Sequence, residues 1–287
     1  MAKKRRSSYR GKKSGIFLQV ISILVAGAIL LSLLGFGIYL YLNIEKDVGL
    51  SQTDLCPESG ARATYAILLD TTDELSIVTK EEIVAEILSI KNSLPRYYRL
   101  SVYTLNENGL NPNPIASVCN PGSINQMNAM ARQGLTANPA MIESKYREFE
   151  GKIDTAIQSI FKQEFEASQS PLLSSLQELS SKLPAPNSID DQQFSRGKNH
   201  IIFVSDLLEH TETFSIYNSG INFEAFKNSR ATEKFGKSYS DTEISIRAVR
   251  RSGQNFTTIE LAEFWARIFK QEFNSDILSL RILSGEL

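Results

Sequence analysis

A run of apolar residues passes directly into acids and hydroxyls in the segment Tyr65-Ala-Ile-Leu-Leu-Asp70-Thr-Thr72-Asp73-Glu74-Leu-Ser76. An uninterrupted apolar run bounded by polar residues is typical of a strand that is buried on both faces of a parallel sheet. In open α/β sheets, ligands bind beyond the carboxyl ends of the strands. The segment therefore predicts a central strand with Asp70 just past its end, outside the core and at a binding edge.

A second segment repeats this pattern far downstream, in His200-Ile-Ile-Phe-Val-Ser205-Asp206. If the two strands are parallel neighbours, their C-terminal ends bring Asp70 and Asp206 to one edge of the sheet. Oxygen ligands gathered in this way suit a hard divalent cation such as Mg²⁺. The two segments together predict a carboxylate-rich edge.

The N-terminal part of the chain differs in composition from the rest. The first 15 residues contain seven Lys or Arg and no acid, and residues 16–42 carry no charge. An apolar stretch of this length crosses a bilayer with some tilt and exceeds the apolar core of a cleaved signal peptide. Because the positive charge precedes the helix, the N-terminus is predicted to stay in the cytoplasm. We expect an uncleaved single-pass anchor in the inner (cell) membrane of a bacterium, with the C-terminal domain in the periplasm.

These features divide the 287-residue chain into four parts. They are a basic cytoplasmic tail (1–15), a transmembrane helix (16–42), a linker (43–60) and one large domain (61–287). Cys56 and Cys119 both lie beyond the membrane helix, where an oxidising compartment favours a disulfide. If the domain were cytosolic, the two cysteines would be expected to remain free thiols.

Strand and helix signals alternate along the large domain. A capping box at Thr79-Lys-Glu-Glu82 predicts the start of one helix. Further helices are predicted over 144–167, from residue 171 onward and over 258–273. Further strands are predicted over 98–105, 115–119, 243–249 and 277–283. Such alternation favours an α/β fold, with a mostly parallel, doubly wound, Rossmann-like sheet flanked by helices. The strand at 115–119 is expected to return antiparallel to the strand before it.

Three polar features stand in a characteristic order in this domain. They are Asp70-x-Thr72-x-Glu74 after the first strand, Ser170 at a helix start, and Asp206 after a later strand. This order resembles the von Willebrand factor A (vWA) domain and its metal-ion-dependent adhesion site, over residues 61–283. Two positions depart from the family pattern: Glu74 replaces a serine, and Leu207 replaces the glycine that commonly follows the last aspartate.

The resemblance implies a degenerate metal site that binds Mg²⁺ or Mn²⁺ through Asp70, Thr72, Glu74, Ser170 and Asp206. In the family, a carboxylate of the partner protein completes the coordination, and the extra acid Glu74 puts that feature in doubt here. Ser76 is a possible substitute ligand. Simpler alternatives stay open: Ser170 could only cap a helix, the two aspartates could order turns, and Glu74 could be a solvated loop charge.

Catalytic motifs are absent from the sequence. It contains no Gly-rich phosphate loop, no Gly-x-Ser-x-Gly and no zinc-spaced His/Cys cluster. Arg250 and Arg251 follow a predicted strand; they could bind an anion, but arginines at strand ends are usually surface residues, and these two are expected at the surface. We therefore predict no catalytic residue and no nucleic-acid partner. The predicted function is a membrane-anchored vWA-like module that binds a protein partner at the C-terminal sheet edge as part of a membrane complex. A metal-free scaffold, or a hydrolase or phosphotransferase built on Asp70, is the alternative.

Overall fold

The structure is a computed structural model that describes residues 13–43, 49–160, 167–184, 197–235, 239, 242–275 and 277–287. The chain forms two compact units: Met1–Asp47 with Asn128–Pro139, and Val48–Met127 with Ala140–Leu287. The predicted basic tail up to residue 12, and residues 44–48 of the predicted linker, lie outside the described residues.

The elements follow in chain order. The strands are β1 (Thr64–Asp70), β2 (Arg99–Asn106), β3 (Gly109–Leu110), β4 (Ala116–Cys119), β5 (Asn199–Ser205), β6 (Thr242–Arg250) and β7 (Ile277–Glu286). The helices are α1 (Lys13–Asn43), α2 (Ile77–Ser93), α3 (Ala129–Arg132), α4 (Pro139–Ile160), α5 (Leu172–Lys182), α6 (Ile216–Ser219), α7 (Phe223–Lys227), α8 (Arg230–Phe235) and α9 (Thr258–Gln271). A short 3₁₀ helix spans Ile124–Gln126.

Helix α1 contains the predicted membrane span. Its segment Gln19–Leu42 has a mean hydropathy of 2.5 and is not buried against protein. By length and composition it can cross a bilayer. Helix α1 is therefore a candidate membrane anchor.

The strands of the second unit form one mixed sheet in the order β3-β2-β1-β5-β6-β7, with β4 also paired to β2. β1 pairs in parallel with both β2 and β5, and the pairs β5–β6 and β6–β7 are also parallel. β4 runs antiparallel to β2, as predicted. The prediction of a mostly parallel α/β sheet is confirmed.

Alternate residues of β1 enter different hydrophobic clusters. Leu68 packs into a cluster that contains Trp265 of α9 and residues of α5. Ile67 packs into a cluster that contains Phe149 of α4 and residues of α2. Because successive side chains of a strand point to opposite faces, helices cover both faces of β1. This accounts for the uninterrupted apolar run of β1.

Two predicted helix starts are wrong. Helix α2 begins at Ile77, and its N-cap is Ser76, whose Oγ accepts the Thr79 N–H at 3.3 Å. The predicted capping box at Thr79 does not form because Thr79 is buried inside the first turn, and the Glu82 carboxylate accepts the Ser284 N–H instead. Helix α4 begins at Pro139, five residues before the predicted start at Ser144. Its predicted C-terminal part, 161–166, lies outside the described residues.

Cys56 and Cys119 form a disulfide with their Cα atoms 4.8 Å apart. Cys119 ends β4, next to the edge of β2, and its backbone N–H donates to the Asp54 carbonyl. The bridge therefore fastens the segment before β1 to the antiparallel side of the sheet. The predicted pairing is confirmed.

Candidate functional site

Asp70 accepts several hydrogen bonds at the C-terminal edge of the sheet. Its Oδ1 accepts the Thr72 N–H at 3.0 Å and the Thr72 hydroxyl at 2.7 Å, and its Oδ2 accepts the Ser205 hydroxyl at 2.7 Å. The Ser170 hydroxyl lies 3.5 Å from the same Oδ2. The structure thus brings together Asp70, Thr72 and Ser170. The expectation that Asp70 lies past the strand and outside the core is wrong: it is the last residue of β1 and only 7% exposed.

Asp206 follows β5 at the same edge and is also buried. Its Oδ1 accepts the Leu208 N–H at 3.1 Å, and its Oδ2 accepts a hydrogen bond from Arg251 Nη1 at 2.7 Å. Burial, followed by the negative charge of Asp70, raises the pKa of Asp206 to about 7. Burial also raises the pKa of Asp70, although the hydrogen bonds from Thr72 and Ser205 oppose this rise. The two strand-end acids therefore share one edge, as predicted, and each disfavours the charge of the other.

Arg251 is the first residue after β6, and its guanidinium contacts both neighbouring loops. Nη1 donates to Asp206 and, at 3.0 Å, to the Tyr217 hydroxyl, while Nη2 donates to Asp73 Oδ1 at 2.7 Å. Burial of the guanidinium acts to lower the pKa of Arg251, but Asp206 and Asp73 outweigh burial and raise it. The expectation that this arginine is merely a surface residue is wrong. A usable sequence signal existed, since Arg251 closely follows the predicted strand 243–249, which the structure pairs with β5.

Glu74 lies apart from these residues. Its side chain is 79% exposed, and its nearest charged contact is Lys80 at 4.0 Å. Ser76, the possible substitute, is engaged as the N-cap of α2. The structure therefore brings together Asp70, Thr72, Ser170 and Asp206 but not Glu74.

The loop after β5 has an uncommon backbone conformation. Leu207 is completely buried and has a φ of 66°, in the left-handed region that usually favours glycine. A left-handed conformation costs an ordinary residue about 1–2 kcal/mol. Two hydrogen bonds hold it in place: the Leu207 N–H donates to Ser205 Oγ at 2.8 Å, and Trp265 Nε1 donates to the Leu207 carbonyl at 2.8 Å. These tertiary contacts thus hold Leu207 in a backbone conformation that glycine adopts more readily.

Glu209 is a buried carboxylate that the sequence did not identify. Its Oε2 accepts the Leu173 N–H at 2.9 Å, and its Oε1 accepts the Thr211 hydroxyl at 2.9 Å. Glu209 therefore caps the N-terminus of α5 from another loop, and Ser170 makes no side-chain cap there. Burial raises the pKa of Glu209 to about 7. The only sequence signal was a glutamate placed soon after the apolar pair Leu207-Leu208.

A polar cavity of about 190 Å³ opens at this edge. Its lining includes Thr72, Asp73, Ser170, Asp206, Tyr217 and Arg251. The cavity therefore presents carboxylates, hydroxyls and one guanidinium to a ligand that approaches the ends of β1, β5 and β6.

The donor set does not fit Mg²⁺ or Mn²⁺ while Arg251 occupies its position. Asp206 Oδ2 accepts a hydrogen bond from Arg251, and the two carboxylate oxygens of Asp70 accept hydrogen bonds from the Thr72 and Ser205 hydroxyls. Among the described residues, no three His, Cys, Asp or Glu side chains are grouped so that they could hold a metal ion. The metal site stays a prediction that this arrangement of side chains does not favour.

Comparison with known proteins gives little further guidance. No protein-family model matches the sequence, and no curated protein matches it. One similar solved structure is the conserved hypothetical protein BatB from Bacteroides thetaiotaomicron, with 12% identity and a TM-score of 0.33 over 76% of this chain and 91% of that one. A superposition this loose carries no argument about function. The chain contains a mostly parallel α/β domain that follows an N-terminal apolar helix.

Proposed function

We propose that this protein is a membrane-anchored, vWA-like interaction module that binds a protein partner at the C-terminal edge of its sheet and serves as a subunit or scaffold of a membrane complex. The observation that carries the proposal is the open polar cavity at this edge, where strand ends converge. Ligands of open α/β sheets bind at this edge, where the order of the strands reverses. In this sheet, β1 lies between β2 on one side and β5 on the other, so the strand order reverses at β1.

The vWA-type assignment has support from the positions of its key residues. Asp70, Thr72, Ser170 and Asp206 come from separate parts of the chain, and they meet at the edge where the resemblance puts them. The antiparallel pairing of β4 with β2 also agrees with the expected element order. The proposal therefore includes a doubly wound, vWA-type topology.

The location follows from the N-terminal sequence. A helix that can span a bilayer follows a strongly basic segment, so the tail is proposed to be cytoplasmic and the domain periplasmic, at the inner membrane of a bacterium. The Cys56–Cys119 disulfide agrees with an oxidising compartment.

A hydrolase or phosphotransferase that uses Asp70 is a weaker candidate. An attacking carboxylate must be free and accessible to the substrate, whereas Asp70 is 7% exposed and both its oxygens accept hydrogen bonds. We therefore propose a binding function without catalysis.

Site-specific photocrosslinking in the native membrane tests the partner-binding edge. A photoreactive residue placed at Gln169 or Tyr217, which line the cavity and are exposed, should form a discrete protein adduct. The same residue at Lys198, exposed just before the N-terminal end of β5, is the matched control and should form none. Adducts from Lys198 alone, or from no position, would contradict the proposal.

A further inference from the structure

We infer that Arg251 takes the place of a divalent cation at the sheet edge, so that the folded domain carries its own positive charge there and binds no metal. The inference concerns the site of the proposed function. It rests on that proposal only for one consequence, which is that partner binding does not depend on divalent cations.

The first support is the geometry of the guanidinium. Its two terminal nitrogens donate to carboxylates from two different loops, Asp206 after β5 and Asp73 after β1, each at 2.7 Å. The Asp206 side chain is 3% exposed and the Arg251 side chain 24% exposed. Hydrogen bonds between charged groups are about twice as strong as neutral ones, and partial burial reduces screening by salt. Arg251 thus joins the two loops that a bridging ion would join.

The second support is electrostatic. Asp70 and Asp206 are buried near one another, and without a nearby cation their charges would repel. Arginine keeps its proton throughout the accessible pH range, so it is a permanent counter-charge. A second positive ion is not needed to hold the loops together.

The third support is competition for one atom. A magnesium ion would require an Asp206 oxygen at about 2.0–2.1 Å. Asp206 Oδ2 already lies 2.7 Å from Arg251 Nη1, and a dication bound to this oxygen would be repelled by the guanidinium beside it. An ion could enter only if Arg251 withdrew from both Asp206 and Asp73. Removing the guanidinium should therefore create a cation site that the natural protein lacks.

Thermal unfolding of the purified full-length protein in detergent tests this inference. Trp265, the single tryptophan of the chain, is buried and hydrogen-bonded to the residue after Asp206, so its fluorescence reports on this edge. The proteins are the wild type, Arg251→Ala and the more conservative Arg251→Gln. Arg250→Ala, which removes the adjacent exposed arginine, is the matched control. Each is melted with chelator and with millimolar Mg²⁺ or Mn²⁺.

For the wild type, the Tm in chelator and the Tm in metal should agree within about 1 °C. The same should hold for Arg250→Ala. The two Arg251 variants should melt lower in chelator and regain about 3 °C or more at a metal concentration tenfold above Kd. Equilibrium dialysis should find Mn²⁺ on the variants only. A wild-type Tm that rises with metal, or Arg251 variants that fold but ignore it, would overturn the inference. If neither Arg251 variant folds, the wild-type protein alone tests the inference: a Tm that rises with metal overturns it, and a Tm that does not change supports it.

The two proposals can fail separately. The melting experiment needs no partner, whereas the crosslinks from Gln169 and Tyr217 need one. If crosslinks form and persist in chelator, the partner-binding edge stands and partner binding does not depend on divalent cations. If crosslinks form but vanish in chelator, the partner-binding edge stands and the role of Arg251 is overturned.

Discussion

The indole N–H of Trp265 donates a hydrogen bond to the backbone carbonyl of Leu207, with 2.8 Å between the two heavy atoms. The two residues are 58 positions apart and both are buried. The bond fixes the Leu207–Leu208 peptide, whose N–H donates to Asp206 Oδ1, so helix α9 contributes to the orientation of that carboxylate. The strained turn at Leu207 is held from outside its own loop.

Glycine should be tolerated better than alanine at position 207. Both Leu207→Gly and Leu207→Ala lose the buried side chain, but only glycine adopts a φ of 66° without backbone strain. We expect the glycine variant to be more stable by about 0.5–1 kcal/mol, which reverses the usual order of the two residues. Chemical denaturation of both variants measures this difference.

Leu208 is the matched control for that pair. It is buried next to Leu207 but does not have a positive φ. Leu208→Ala should therefore be more stable than Leu208→Gly. If glycine is the poorer residue at both positions, the left-handed turn is not the strained feature described here.

Removing the carboxylate of Asp70 should destabilise the domain. Asp70→Ala leaves the Thr72 and Ser205 hydroxyls and the Thr72 N–H without their acceptor, and a buried donor without a partner costs about 1–3 kcal/mol. Glu74→Ala should change the free energy of unfolding by less than about 0.5 kcal/mol because its side chain is 79% exposed. Equal losses in the two variants would show that Asp70 does not have the central role assigned to it.

The buried Glu209 predicts a pH dependence of stability. Its pKa rises from an ordinary 4.5 to about 7 in the native state, so the native protein binds the proton more tightly than the unfolded chain. The stability from this group is complete below about pH 4.5 and is lost as the pH rises through about 7. The advantage of the wild type over Glu209→Gln should therefore shrink by roughly 1–3 kcal/mol between these limits. Denaturation of both proteins across this range measures it, and a constant difference would show that the pKa of Glu209 is not raised.

Breaking the Cys56–Cys119 bridge should lower stability substantially. The cysteines are 63 positions apart, and closing a loop of that length stabilises a protein by about 4 kcal/mol in the chain-entropy model. A reducing agent should lower the Tm of the wild type but not of a variant with both cysteines replaced by serine. Two thiols that react without reduction in the denatured protein would contradict the bridge.

The orientation of the anchor can be tested in cells. A reporter enzyme that is active only outside the cytosol should be active when fused after Leu287, because seven Lys or Arg lie within the first 15 residues, before the apolar segment 16–42. Replacing Lys3, Lys4, Arg5 and Arg6 by alanine should weaken this orientation. Activity of a cytosol-only reporter in the wild-type fusion would reverse the proposed topology.

The sequence alone was enough to predict the two central strands, the apolar helix and the meeting of two acids at one edge. The physical reason is that burial on both faces demands an uninterrupted apolar run, which β1 and β5 both contain. A parallel arrangement then puts their following acids side by side. The cysteine pairing followed from having two cysteines on one side of a membrane helix.

Only the tertiary structure decided which charges complete that edge. Arg251 reaches Asp206 across 45 positions and Asp73 across 178, and Glu209 caps helix α5 through the N–H of Leu173, 36 positions before it. The sequence pattern indicates which face of a strand or helix is buried, but it does not indicate which loop lies beside another. Hydrogen bonds between loops depend on strand order and on the path of each side chain. For this reason four of the five predicted ligands converge at the predicted edge, without Glu74, while the cation already present there is an arginine of the chain itself.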